Sequence, residues 1–216
     1  MNQVSYSLEG KSPKTARGAK TKAKLLEAAA LEFGERGYHA CMIADITRRA
    51  KVGMGTFYVY FDSKEEVFRE LVAYMSNLTR THISKTIEGI TDRLEAERAG
   101  IVAYLNFARE HKDLYRIVME SQFVAEDAYR NHYRVFHSAY TNNLEVATRK
   151  GQIRQGDNEV RAWALIGISV FLGMGIGLDD EKFDVNRIAD AAFDMIKYGL
   201  NPDANIEPAS GSNSSE

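Results

Sequence analysis

The chain has 216 residues, 44% of them hydrophobic and 27% charged, with a formal net charge of −2. Such a composition excludes a chain disordered beyond its ends, and the single cysteine, Cys41, excludes an internal disulfide or a cysteine-built zinc site. Charge is unevenly spread: residues 1–64 carry 11 Lys/Arg against 6 Asp/Glu and the rest 17 against 24, which points to a polyanion partner at one end only.

Three prolines, plentiful Ala, Leu, Glu, Lys and Arg, and no alternating β-branched run predict an all-α protein. Residues 1–19 are polar, with no apolar core of a secretory signal, and read as a flexible basic arm; its Lys11, Lys14 and Arg17, with Lys20 and Lys22 just beyond it, could lie along DNA. A first helix is expected from about Thr21 to Phe33, with Ala23, Leu26, Ala30 and Phe33 as its apolar stripe and Gly34 and Gly37 ending it. A short helix over about Met42–Lys51 buries Ile43, Ile46 and Ala50. Val52 and Gly53 then turn into a third over about Met54–Tyr60, where Phe57 and Phe61 close a small core. Ser63, with Glu66 three residues on, forms a capping box for a long helix from Lys64 to about Glu88.

Further helices are expected near Glu95–His111, Asp113–Ser121, Glu126–Lys150, from Asp157 or Asn158 to Leu178, and Asp184–Tyr198. The 17 residues from Ala162 to Leu178 carry no charge but include Gly167, Gly173, Gly175 and Gly177, so they read as a buried helix at a subunit interface rather than a membrane span. The tail from Asn201 is rich in Ser, Asn, Pro and Gly and is expected to be disordered.

The informative stretch runs from Ile43 to Lys64: two short helices across a tight turn, then a capped third. That geometry can present the N-terminal part of the second of the pair to a major groove. Gly55 and Thr56 are small enough for close backbone approach, Tyr58 and Tyr60 carry hydroxyls on rigid arms, and Lys64 stands at a helix N-terminus where a phosphate is favoured. Met54 offers an apolar tip to a thymine methyl, and Arg48, Arg49 and Lys51 are placed near phosphates.

The run Gly55-Thr56-Phe57-Tyr58-Val59-Tyr60-Phe61-Asp62-Ser63-Lys64-Glu65-Glu66 resembles the signature of the tetracycline-repressor (TetR) family. So do Ala44-Asp45-Ile46-Thr47-Arg48-Arg49-Ala50-Lys51-Val52 and the approach through Phe33, Gly37 and Tyr38, over roughly residues 20–70. Two positions depart from the pattern. Cys41 and Met42 stand where Ser or Thr is usual, and Lys51-Val52-Gly53 replaces Gly-Val-Ser, so hydroxyl caps are missing from both short helices. The resemblance implies a homodimer, a pseudo-palindromic operator and a small-molecule pocket in each body. The expected DNA-contacting set is Thr47, Arg48, Met54, Gly55, Thr56, Tyr58, Val59, Tyr60 and Lys64.

The sequence thus divides into an arm (1–19), a three-helix helix-turn-helix DNA-binding domain (20–65), a larger helical ligand-binding and dimerisation domain (66–200) and a tail (201–216). Aromatics are dense in the body. Tyr104, Phe107, Phe123, Tyr129, His132, Tyr133, Phe136 and Trp163 are the candidate lining of a cavity for an apolar or aromatic effector, with His132 able to orient a polar group. His132 and His137 do not share a helix face, and neither metal nor other cofactor is expected. Cys41 and His39 lack an orienting third group, and no phosphate loop occurs, so a regulator in the cytoplasm, a repressor released by its ligand, is expected rather than an enzyme. The alternative is a helical ligand-binding protein or enzyme with an incidental helix-turn-helix.

Overall fold

The structure, a computed structural model, describes residue 11 and residues 13–176 and 184–200. Its regular elements are helices throughout: α1 (Ala16–Ala40), α2 (Ile43–Ala50), α3 (Met54–Tyr60), α4 (Lys64–Thr86), α5 (Arg93–Glu110), α6 (Lys112–Val124), α7 (Glu126–Arg149), α8 (Asn158–Ile176) and α9 (Val185–Tyr198). The expected all-α class holds, and α3 has the expected bounds. Most of the expected arm (1–10 and 12), the tail (201–216) and Gly177 and Leu178 lie outside the described residues.

The first helix departs most from expectation. The Thr15 side chain accepts the Gly18 N–H at 3.0 Å, and this cap starts α1 at Ala16, inside the stretch read as arm. Gly34 does not end the helix. A Cβ there would come within 2.5 Å of the Asp113 Cβ, so this glycine is where α6 crosses closely. The break comes at Gly37, whose φ of 77° favours glycine. The buried face is also rotated: Lys22, Leu25, Ala28, Ala29, Glu32 and Phe33 point inward, while Ala23 is exposed. Two charged residues on that face hid it from an apolar-stripe reading. Lys22 pairs with Glu70 of α4 at 2.9 Å, both buried, and its ammonium lies 5.3 Å from the Phe61 ring. Lys22 is therefore a core residue and not part of a DNA-facing arm.

Phe33, Ile46, Phe57 and Phe61 form one core with Val67, Phe68 and Leu71 of α4 and Ile117 of α6. The N-terminal helices are thus welded to the start of the body rather than tethered to it. Ile101 and Leu105 of α5 pack on Val185, Ala189 and Ala192 of α9 in a second core, flanked by Ile168 and Leu172 of α8. A third, Met75, Phe107 and Val118, ties α4, α5 and α6 together.

No helix among the described residues is long and apolar enough to cross a membrane. Along α8, Gly173 faces inward, its absent Cβ 3.0 Å from the Tyr104 ring of the same chain, which corrects its expected place between subunits. Gly167 has nothing within 4 Å, and Val160, Trp163 and Phe171 are 62%, 50% and 70% exposed. The outer face of α8 is therefore apolar and includes Gly167 but not Gly173.

Candidate nucleic-acid interface and body cavity

α2 reaches α3 through Lys51, which adopts φ 56°, ψ 46°, the left-handed region where the family pattern has glycine. Its N–H returns to Arg48 O and that of Val52 to Thr47 O, which closes the turn despite the side chain. The Met42 side chain offers no oxygen, so the start of α2 is held by the reciprocal half of a capping box: the Asp45 carboxylate accepts the Met42 N–H at 3.0 Å. That bond first, then Arg48 and Arg36, hold the Asp45 carboxyl below the usual carboxylate range. Gly53 caps α3 without any side-chain bond.

The outward face of α3 carries Met54, Tyr58 and Val59, 44%, 47% and 59% exposed, with Gly55 open to solvent and Thr56 half-buried beside them. Arg48 is exposed on the neighbouring helix and pairs with Asp45 at 3.0 Å. Tyr60 is half-buried, its hydroxyl against Gly18 at the start of α1. Lys11 lies across the end of α3, its ammonium 2.6 Å from Asp62.

Other expected contacts are placed differently. Thr47 is 4% exposed, its hydroxyl bonded to Ala44 O at 3.2 Å and beside Met54 Sδ at 3.6 Å, so it supports α3 from behind. Lys64 donates to Tyr38 O at 2.7 Å and Cys41 O at 2.8 Å and lies 4.1 Å over the Tyr38 ring. Its ammonium caps the end of α1, leaving one N–H for another acceptor. Arg49 is drawn off the phosphate-facing set by Glu32 at 2.6 Å and Glu35 at 2.5 Å, clamping α2 to α1. Burial pushes the Cys41 thiol up to about 11, leaving it an inert core group.

In the body, a small chamber of about 50 Å³ lies between α5, α7 and α8, lined by Tyr104, His132, Tyr133, Phe136, Tyr140 and Ile166 among others. A lateral groove of about 460 Å³ adjoins it, sharing Ile83, Gly100, Phe136 and Tyr140 and carrying Arg80, Lys85 and Arg93. Four of the eight candidate lining residues thus meet at the chamber. The others stand apart. Tyr129 meets Tyr133 edge to face with ring centroids 4.9 Å apart, and Phe107 lies against the rings of His82 and His111 in the third core. Phe123 is 83% exposed, and Trp163 stacks on His137 at 4.6 Å on the outer side of α8. Periodicity marks a helix face but not which neighbour that face meets, which is why these two were grouped with the rest. Tyr140, Ile166 and Ser169 are lining residues outside the candidate set.

The chamber is dry in character. Burial pushes the His132 pKa down to about 4, so the ring is neutral at pH 7, held by Ser76 Oγ at 2.9 Å from Nδ1. Burial likewise raises the Tyr104, Tyr133 and Tyr140 phenols.

One helix touches both regions. On its inner side, α6 places Tyr115 Oη 2.8 Å from Val170 O of α8 and Met119 Sδ against the Tyr133 hydroxyl. On its outer side Arg116 donates to Gly34 O at 2.8 Å, and Glu120 accepts the Tyr38 N–H at 2.9 Å. These bonds span 82 residues of sequence, and the one local hint of them was a glycine inside a helical run.

Residues 25–71 match the family described as bacterial regulatory proteins, tetR family. Over 195 residues the chain is 27% identical to YdgC, an HTH-type transcriptional regulator of Bacillus subtilis, covering 88% of this chain and 97% of that one. Among solved structures it is similar to the transcriptional regulator FadR from Bacillus subtilis in complex with stearoyl-CoA, with TM-score 0.74, 17% identity, and 83% and 99% of the two chains covered. It is also similar to AibR in complex with isovaleryl coenzyme A and operator DNA, with TM-score 0.66, 18% identity, and 81% and 97% covered. At these identities the structural likenesses establish a common fold.

Proposed function

We propose that the chain, whose residues 25–71 match the tetR family of bacterial regulatory proteins, is a homodimeric DNA-binding repressor, released from a pseudo-palindromic operator when an apolar effector enters its body. The effector class we favour is an acyl-coenzyme A thioester, as bound by the FadR and AibR structures. In this reading residues 20–65 read the operator, residues 66–200 sense and dimerise, and the protein works beside the chromosome in the cytoplasm, with no covalent chemistry.

The observation that carries the reading is the double engagement of α6. Tyr115 and Met119 touch the helices around the chamber, while Arg116 and Glu120 grip α1 beside the corner that leads into α2. A chamber of about 50 Å³ holds no effector of ordinary size, since such sites run to roughly 300–1,000 Å³. An acyl chain that passes from the lateral groove into the chamber does so only by pushing α5, α7 and α8 apart, and α6 is bonded to α7 and α8. Met54, Tyr58, Val59 and Arg48 are the exposed side chains we assign to DNA, with Gly55 and Thr56 allowing close approach. Dimerisation spaces two such surfaces by about one DNA turn, and an effector that prefers another spacing lowers affinity by roughly 5–150-fold.

Selection of tight-binding duplexes from a random library tests the reading. A pseudo-palindromic consensus is expected, bound with a steep salt dependence and released by acyl-coenzyme A thioesters. Recovery of no consensus would favour the helical carrier with an incidental helix-turn-helix.

A further inference from the structure

Three spaces in the body meet at one cluster of side chains. Besides the chamber and the lateral groove, a distal groove of about 470 Å³ opens between α5, α8 and α9, its walls including Leu144, Leu165, Ile168 and Ile196. Arg93 borders the lateral and distal grooves, Tyr140 the lateral groove and the chamber, and Glu97 the distal groove. Along α7, Phe136, Tyr140 and Leu144 form one stripe that passes from the chamber to the distal groove, with the Tyr140 ring in the middle.

The three side chains at this junction hold one another. The Tyr140 hydroxyl donates to Glu97 Oε2 at 2.6 Å, and Arg93 Nε donates to Glu97 Oε1 at 2.8 Å, with a second guanidinium nitrogen on the same oxygen. The Arg93 guanidinium lies 5.6 Å from the Tyr140 ring. Glu97 is 2% exposed. Packing alone would be served as well by an apolar trio, because burying a carboxylate and a guanidinium carries a heavy desolvation cost. What the charged trio adds is direction: a Tyr140 ring tied at its hydroxyl cannot swing aside as a phenylalanine or leucine could.

We propose that Tyr140, locked by Glu97 and Arg93, is the partition that sets the length of apolar chain the body accepts. A tail admitted through the lateral groove stops at the Tyr140 ring, and the distal groove is the space a longer tail would need. The proposal rests on the reading of the effector as an acyl compound and adds the residue that decides which chain length fits. Gly100 supplies the opposite control. It lines the lateral groove and the chamber, and a Cβ there meets nothing nearer than Ile87 Cγ2 at 4.0 Å, so a larger side chain has room to start and takes up part of that space.

The test is the affinity of the purified full chain for a graded series of saturated straight-chain acyl-coenzyme A thioesters, by calorimetry and by the ligand-induced rise in unfolding midpoint. In the wild type, affinity rises about fourfold per added methylene until the partition is reached and then falls. Tyr140→Ala moves the preferred length to longer chains, Gly100→Leu moves it to shorter ones, and Tyr140→Phe keeps the ring and broadens the cut-off toward longer chains. Folded Tyr140→Ala and Gly100→Leu proteins that rank the series as the wild type does would overturn the partition while leaving the effector class intact. Should Tyr140→Ala fail to fold, an unshifted Gly100→Leu ranking overturns it alone. A wild type that binds no member of the series refutes the effector class, and the partition with it.

Discussion

The setting of His132 turns pH into stability. Its folded pKa of about 4 lies below the unfolded value of about 6.5, so between those values the unfolded chain binds a proton that the folded chain refuses. The neutral, buried ring therefore contributes stability fully above about pH 6.5, and that contribution is lost as pH falls toward 4, to about 3 kcal/mol at most. Denaturant titrations from pH 7 to pH 4 should show a steeper loss for the wild type than for His132→Phe. Parallel curves for the two would place the ring in contact with water. Lys51 makes a second residue-scale case. An L-residue in the left-handed region costs about 1–2 kcal/mol, part of which glycine gives back through its freedom in the unfolded chain. Lys51→Gly should gain about 0.5–1 kcal/mol in chemical denaturation. An unchanged or lower midpoint would mean that the lysine side chain compensates for its backbone.

At the scale of elements, the helix-turn-helix was legible because its signals are local. Glycine, a capping serine and two phenylalanines four apart place α3 and its core face within a few residues of one another, and Phe57 and Phe61 are fully buried. The inward face of α1 was not legible, because Lys22 and Glu32 read as surface until Glu70, Arg36 and Arg49 are brought beside them. Nor was the role of α6, since its partners Gly34 and Tyr38 lie far back in the chain. In the cavity, Tyr104, His132, Tyr133 and Phe136 were recognisable from aromatic spacing, whereas Phe123 and Trp163 share that spacing but face outward. Arg116→Ala with Glu120→Ala removes the side-chain hydrogen bonds from α6 to α1 and alters no residue that lines the chamber. The double variant should still bind an acyl-coenzyme A thioester, while the ratio of operator affinities without and with that ligand falls toward one. A ratio equal to that of the wild type would route the coupling elsewhere.

The whole molecule presents an apolar outer strip on α8, with Trp163 and Phe171 half or more exposed, on the side away from the chamber-lining Ile166 and Val170. A second copy of the chain is the cover we assign to it, and two copies are what a pseudo-palindrome requires. Phe171→Glu should shift the protein to a monomer in sedimentation and sharply reduce operator affinity, although no DNA-facing residue is altered. A dimeric Phe171→Glu protein with full affinity would move the subunit contact to another face.

The central claim is that the body and the DNA-reading helices share one equilibrium, and linkage makes that measurable from the ligand side. If a thioester weakens operator binding by some factor, the operator must weaken thioester binding by the same factor. The measurement is the dissociation constant of one tightly bound acyl-coenzyme A thioester, with the free dimer and with the dimer saturated by its selected operator duplex. Binding to the DNA-bound dimer should be weaker by at least roughly fivefold, the low end of ordinary coupling. Equal affinity in the two states would contradict it, however tightly the ligand and the DNA each bind.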